Sequence, residues 1–322
     1  MDPSQSGEPQ QKLPSCTVVV STRDRPGDLT RCLESVRQEA YPGLDVVVVD
    51  SAPERDSAQA VSLRFETRYL RLAQPGLSRA RNAGARQATG EIVIFLDDDV
   101  TLEAGCIAAL TREFLNSRTA IASGRVRLSG GDDRAREAFL SFGGFDAGDA
   151  GRAVDKTDPD WFELVNFGGF GTGALLAVRR SAFDVWAGFD ERLGRGAAQD
   201  SAEELLAFFS LVNAGYRAVY SPEAIAWHPA PASMGDLRQR VLASASGASA
   251  YLTLLLFEYP EHRHRALRYL RQALSGAERE WRPRPASRKY LIVPRWRVRL
   301  AWATGPLLYL RMRLRVAVSP KA

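Results

Sequence analysis

Three consecutive carboxylates, Asp97, Asp98 and Asp99, end the apolar run Ile92-Val93-Ile94-Phe95-Leu96. A short β-rich run entered through a turn residue, here Gly90, reads as a buried strand. In open α/β sheets ligands sit beyond the carboxyl ends of the strands, so the acids point at a ligand crevice. Adjacent anions repel one another, and a hard divalent cation with oxygen ligands (Mg, Ca or Mn) relieves that repulsion. Such a cation would in turn hold a diphosphate. The plainer alternative is a solvated acidic turn after a strand.

The surrounding motifs favour a ligand site. Thr17-Val18-Val19-Val20-Ser21-Thr22-Arg23-Asp24-Arg25-Pro26, then Leu44 to Ser51, then Gly76-Leu77-Ser78-Arg79-Ala80-Arg81-Asn82-Ala83-Gly84, then Leu96 to Asp99 form an ordered series. The series resembles the nucleotide-binding half of the inverting family-2 glycosyltransferases. Downstream, Gly188-Phe189-Asp190-Glu191, Glu203-Glu204, Ala214-Gly215-Tyr216 and Trp227-His228-Pro229 resemble that family's acceptor half. The likeness covers roughly residues 15–230.

The resemblance implies an α/β GT-A (Rossmann-like) fold: a mixed, mainly parallel sheet flanked by helices. It implies a metal-dependent inverting transfer from a nucleotide-diphosphate sugar, a UDP-sugar first, to a hydroxyl on a glycan, a lipid-linked glycan or a small molecule. A nucleotidyltransferase is the rival enzyme, although Ser21–Asp28 lacks the Gly-rich, basic loop such enzymes usually show. A sugar-nucleotide or partner-binding module without catalysis is the other rival.

Residue by residue, the resemblance assigns Thr22, Arg23 and Arg25 to the nucleobase loop. Asp50 would accept a hydrogen bond from a uracil N3–H, a task suited to an acceptor-only carboxylate; its alternative is a turn cap. Arg81 would meet base or phosphate, with Arg79 as the neighbouring choice and a plain helix surface as the alternative. Asp97 would face the ribose and share the metal, Asp98 would fill the middle donor position, and Asp99 would bind the metal. His228 would approach the metal or diphosphate, which favours Mn²⁺ over Mg²⁺, unless it is a structural histidine.

Glu204 is the first candidate for the general base, with its neighbour Glu203 and then Asp200 behind it. Glu stands where the family usually carries Asp, which carries the carboxylate about one methylene further out. A solvated helix N-terminus, where acids are favoured anyway, is the alternative. Asp190, Gly173 and Trp186 would contact sugar or acceptor. Gly173 closes the glycine-rich stretch Gly168–Gly173, which a plain turn also explains, and Trp186 could equally be a packed aromatic.

Positioning these groups requires βαβ units. Short Val/Ile-rich runs alternate with helical patterns over residues 15–100, predicting strands at Cys16–Ser21, Asp45–Val49, Thr67–Leu72 and Ile92–Leu96. Helices are predicted at Asp28–Gln38, Leu77–Ala88, 101–116 and 201–213, with a closing strand at Arg217–Tyr220. Residues 117–170 read as a long irregular, Gly/Asp-rich loop. The domain reading is a polar, disordered N-terminus over 1–13, a GT-A domain over 14–230 with halves 14–100 and 101–230, and a helical basic extension over 231–322.

That extension opens with Val241–Phe257, uncharged over 17 residues, which reads as a membrane span or, preferably, a buried or interfacial helix. Its last segment alternates Arg295-Trp296-Arg297-Val298-Arg299-Leu300; period two argues for a strand and the resemblance for a helix. Residues 261–322 hold 16 Lys and Arg against 3 acids, a charge of +13 in a chain whose net charge is +5. Such a tail suits an anionic membrane surface, and peripheral membrane association is expected as readily as packing against protein. Nucleic acid is not expected, because no zinc-finger or RNP-type signature is present. Three cysteines without a CxxC pair suit a reducing, cytoplasmic compartment.

Overall fold

The computed structural model describes residues 12–141, 143–167, 169–197, 201–275 and 292–318. Asp200 and the N-terminal segment through Gln11 lie outside the described residues.

The first half builds as the βαβ pattern requires. Strand β1 (Cys16–Thr22) is buried throughout and feeds α1 (Pro26–Arg37), which starts at a proline whose missing N–H is harmless in the first turn. Then come β2 (Asp45–Ser51), α2 (Ser57–Arg64), β3 (Arg68–Leu72), α3 (Leu77–Gln87) and β4 (Ile92–Asp97). Strands β3, β2, β1 and β4 are adjacent and parallel, so the chain winds outward from β1 in both directions. The crevice where the winding reverses lies between the carboxyl ends of β1 and β4. Alternate residues serve opposite faces: Val19, Val93 and Phe95 join one core, Val18, Val20, Ile92, Ile94 and Leu96 the other.

The second half departs from the sequence expectation. The predicted helix over 101–116 is preceded by a short strand, β5 (Thr101–Leu102), and α4 covers only Cys106–Arg112. The stretch 117–170 is not a loop: it holds β6 (Thr119–Ser129), α5 (Asp133–Ser141), β7 (Arg152–Val154) and α6 (Trp161–Phe167). Strand β6 sits inside the sheet, antiparallel to β8 (Leu175–Arg179) and parallel to β9 (Arg217–Pro229). Its residues Ala120, Ala122, Ser123 and Gly124 have weak strand propensity, and packing on both faces overrides it. Short α7 (Phe183–Trp186) and α8 (Glu203–Asn213) fall between β8 and β9.

Among the described residues three helices follow: α9 (Met234–Glu258), α10 (Arg263–Ser275) and α11 (Arg295–Val318). Ser233 accepts a hydrogen bond from the Asp236 N–H at 3.1 Å and caps α9. By length and composition α9 could cross a membrane, yet Ser249 to Leu255 are buried against protein, as expected for a helix apolar all round inside a fold. The period-two segment at 295–300 is helical.

Candidate active site

The register of the sheet assembles the site. Ser21 pairs with Asp97 and Thr22 with Asp50, so the ends of β1, β2 and β4 lie side by side. A cavity of about 770 Å³ opens there. Its wall contains Thr22, Arg23, Arg25, Arg81, Asp97, Asp98, Asp99, Gly173, Glu203, Glu204 and His228.

The three aspartates do different work. Asp98 is buried, takes the Thr22 hydroxyl at 2.7 Å and the Arg25 guanidinium at 3.1 Å, and so ties the acid turn to the loop after β1. Burial pushes its carboxyl up to about 6, although Thr22 and Arg25 both pull the other way. Asp97 and Asp99 remain partly exposed to the cavity. Arg25 reaches Asp99 as well, at 3.3 Å.

Strand pairing delivers His228 to this turn. Thr101 of β5 lies opposite Trp227 of β9, which sets His228 beside Asp99 with Nε2 and Oδ1 3.6 Å apart. His228 Nδ1 lies 2.7 Å from the Pro229 carbonyl. A carbonyl only accepts, so Nδ1 donates to it, and Nε2 is the nitrogen that faces Asp99. The Phe145 ring packs on the imidazole at 4.9 Å and fixes its plane. One carboxylate and one anchored imidazole fit a divalent cation that keeps open positions. Among the described residues no group of three or more His, Cys, Asp or Glu is arranged to hold a metal, so the remaining ligands would be water or substrate oxygens.

Arg81 joins the acid turn to α8. It is buried, donates to Glu203 at 2.9 Å, to Asp97 at 3.1 Å and to the Gly173 carbonyl at 2.8 Å. Gly84, one turn later on α3, makes this possible: a Cβ there would run into the Val19 side chain, so only glycine lets α3 lie this close to the sheet. Gly173 has the matching role, since a Cβ would stand 3.1 Å from the guanidinium. Arg81 and Glu203 are thus spent on each other. Glu204, on the cavity wall beside them, has no such ion-pair partner among the described residues, and burial together with the Glu203 charge pushes its carboxyl up to about 8.

Three of the expected residues lie off the wall. Asp50 is fully buried one residue behind Ser51, which does line the cavity. Its Oδ2 takes the Tyr69 hydroxyl at 2.9 Å, while Oδ1 has no partner among the described residues. Asp190 is held by Arg192, which also reaches Glu258 of α9 at 2.8 Å; the ion pair consumes the group expected at the acceptor. Trp186 packs edge-on against Phe189 at 4.8 Å, away from the cavity wall. No motif marked Phe139, Phe145, Arg195, Arg240 or Leu308, all of them on the wall. Ala243, Ser244, Ser246 and Gly247 also face the cavity, and the small-residue run Ala243–Ala250 could have marked that face.

The glycosyl transferase family 2 model matches residues 17–186. An N-acetylglucosaminyltransferase of Mesorhizobium japonicum is 27% identical over 253 residues, 74% of this chain and 58% of that protein. A pre-mycofactocin glycosyltransferase of Mycobacterium tuberculosis is 29% identical over 216 residues, 66% of this chain and 42% of that protein. The chain spans about half the length of the curated relatives it matches. Among solved structures, the Pyrobaculum calidifontis mannosyltransferase PcManGT, in complex with GDP-Man and Mn²⁺, superposes with a TM-score of 0.55 at 17% identity, over 96% of this chain and 89% of that one. Staphylococcus aureus TarS 1–349 gives 0.53 at 16% identity, over 95% and 93%. These likenesses share the GT-A architecture, and with the model match over more than half its length the chain belongs to glycosyl transferase family 2.

Proposed function

We propose that this chain is a divalent-metal-dependent inverting glycosyltransferase that takes a sugar from a nucleotide-diphosphate donor. One observation carries the reading: the Asp97 and Asp99 carboxylates, the His228 imidazole and the raised Glu204 carboxyl share one cavity wall. Asp99 and His228 would hold the cation, with Asp97 beside them. When bound, the ion supplies positive charge to the leaving diphosphate. Thr22, Arg25 and Asp98 keep the acid turn in register, and Arg81 fixes Asp97 relative to α8.

Glu204 takes the proton from the acceptor hydroxyl, whose oxygen bonds to the anomeric carbon as the bond to the diphosphate breaks on the far side. This single displacement inverts the anomeric centre. A base with a pKa near working pH suits the task. The ion pair of Glu203 with Arg81 supports Glu204 over its neighbour. A UDP-sugar is the first donor, although Asp50 lies behind the wall, one residue from Ser51 that lines it. The relative named for N-acetylglucosamine transfer supports the same choice, while the PcManGT complex makes GDP-mannose the second. The free, buried cysteines suit a reducing compartment, the cytoplasm in this reading.

Thermal shift and nucleotide release with UDP-, dTDP- and GDP-sugars, each with and without Mn²⁺, test the proposal. A donor-specific rise in melting temperature that needs Mn²⁺, lost in Asp99→Ala, is expected. Equal affinity with and without metal, in wild type and variant alike, removes the metal from the mechanism. Nucleotide joined to a sugar phosphate would make the chain a nucleotidyltransferase, and donor binding without turnover a binding module.

A further inference from the structure

Helix α11 has two apolar faces, and the fold uses only one. A helix turns by roughly 100° per residue. Tyr309 and Met312 point inward and are buried in the main core. Gly305 lies against α9 so closely that a Cβ would stand 2.6 Å from the Ala250 nitrogen. Pro306 has no N–H for the Trp302 carbonyl, and the Ser249 hydroxyl of α9 donates to that carbonyl at 2.6 Å instead. The inward face is fully engaged.

On the opposite side Trp296, Leu300, Leu307, Leu310 and Leu314 are 65, 60, 67, 54 and 67% exposed. Their positions fall within an arc of roughly 80° and run about 27 Å along the helix. Arginines flank the stripe on both sides: Arg295, Arg299 and Arg313 along one edge, Arg297 and Arg311 along the other, all exposed. Helix α11 contains no acidic residue. The period-two pattern of residues 295–300 now has a cause, because residues two apart lie about 200° apart on a helix and so alternate between its two apolar faces.

A stripe of large apolar side chains between two cationic rails matches one surface chemistry. Acyl chains take the leucines, headgroup phosphates take the guanidinia, and tryptophan sits at the boundary. A second copy of the chain would bring unpaired arginines against arginines. Nucleic acid would leave the leucines in water. We propose that the outer face of α11 docks in the plane of an anionic phospholipid surface. The inner side of the same helix contributes Leu308 to the cavity wall, so docking holds the cavity against the bilayer whatever reaction it performs.

The test is sedimentation of the full chain with phosphatidylcholine vesicles, with and without phosphatidylglycerol, at low and high salt. Wild type is expected in the pellet with phosphatidylglycerol at low salt and in the supernatant otherwise. Leu300→Glu with Leu307→Glu should abolish pelleting at unchanged melting temperature, since both side chains face solvent. Removing Arg295, Arg299 and Arg313 as glutamines should weaken binding about five-fold per arginine, roughly 100-fold together. Wild type that stays in the supernatant throughout overturns the proposal. So does pelleting that survives the glutamates, or a dimer in sedimentation equilibrium that the glutamates split without any vesicle effect.

Discussion

Glu204 makes pH act on catalysis and on stability in opposite directions. Its carboxyl stands at about 8 in the folded chain, against an ordinary value of 4.5, first because burial disfavours the charge and then because Glu203 is ionised beside it. A base works only when deprotonated, so kcat/KM should rise with pH until about pH 8 and then level off. The folded state holds a proton that the unfolded chain gives up above about 4.5, so the contribution of this group to stability falls from there to about pH 8. Activity and melting temperature should therefore diverge across that window. Glu204→Gln should flatten both trends and lower turnover by roughly 10²–10⁴-fold while donor affinity holds. Should Asp200→Asn abolish turnover and Glu204→Gln spare it, the base is Asp200 and the roles change.

Between elements, Arg81 binds α3, β4 and α8 into one unit. Replacing it by leucine strands Asp97 and Glu203 around a buried site without their cation, a loss of about 3–5 kcal/mol for a broken buried pair. Urea unfolding should show that loss, and adding Glu203→Gln to Arg81→Leu should recover part of it; no recovery would mean that Glu203 is not held there by charge. This link explains what the sequence could and could not disclose. Strands β1, β2 and β4 were legible because uninterrupted Val/Ile runs have few alternatives, and the ends of β1 and β4 accordingly bring Thr22, Asp97, Asp98 and Asp99 to one cavity wall, whereas Asp50 at the end of β2 stays behind it. Asp190 and Trp186 lie off the wall because near neighbours engage them, Arg192 two residues on and the Phe183 and Phe189 rings three residues to either side, and the sequence does not show that Glu258, 66 residues away, fixes Arg192 there. Strand β6 was missed for a related reason, its Ala, Ser and Gly being chosen to fit under neighbouring side chains. The roles of Arg81 and Glu203 lie 122 residues apart in the chain, beyond the reach of any spacing rule.

At the scale of the whole molecule, the basic C-terminal segment is a structural member and not an appendage. One core cluster runs from Val19 and Val49 of the sheet through Phe209 of α8 and Tyr251, Leu254 and Leu255 of α9 to Tyr269, Tyr309 and Met312. Helix α9 also supplies the cavity wall, and Gly305 lets α11 approach Ser249 and Ala250 on it closely. A chain ended at Pro260 would lose the buried side chains of Tyr269, Ile292, Val293, Tyr309 and Met312 at once and uncover an apolar helix. Truncating a single buried aromatic or methionine costs about 2–5 kcal/mol, and a whole domain has only about 5–15 kcal/mol to lose. Such a shortened chain should therefore melt far below the full one, or fail to fold, and lose metal-dependent donor binding although every residue of the acid turn is intact. Circular dichroism melts and donor thermal shifts on both forms check this. Equal melting temperatures would show that α10 and α11 contribute nothing to the core, and would restore the segment to the status of a removable anchor. The point substitutions on the outer face of α11 separate the two roles of the helix, because they alter the charge and polarity of its exposed stripe while leaving Tyr309, Met312 and Gly305 in place.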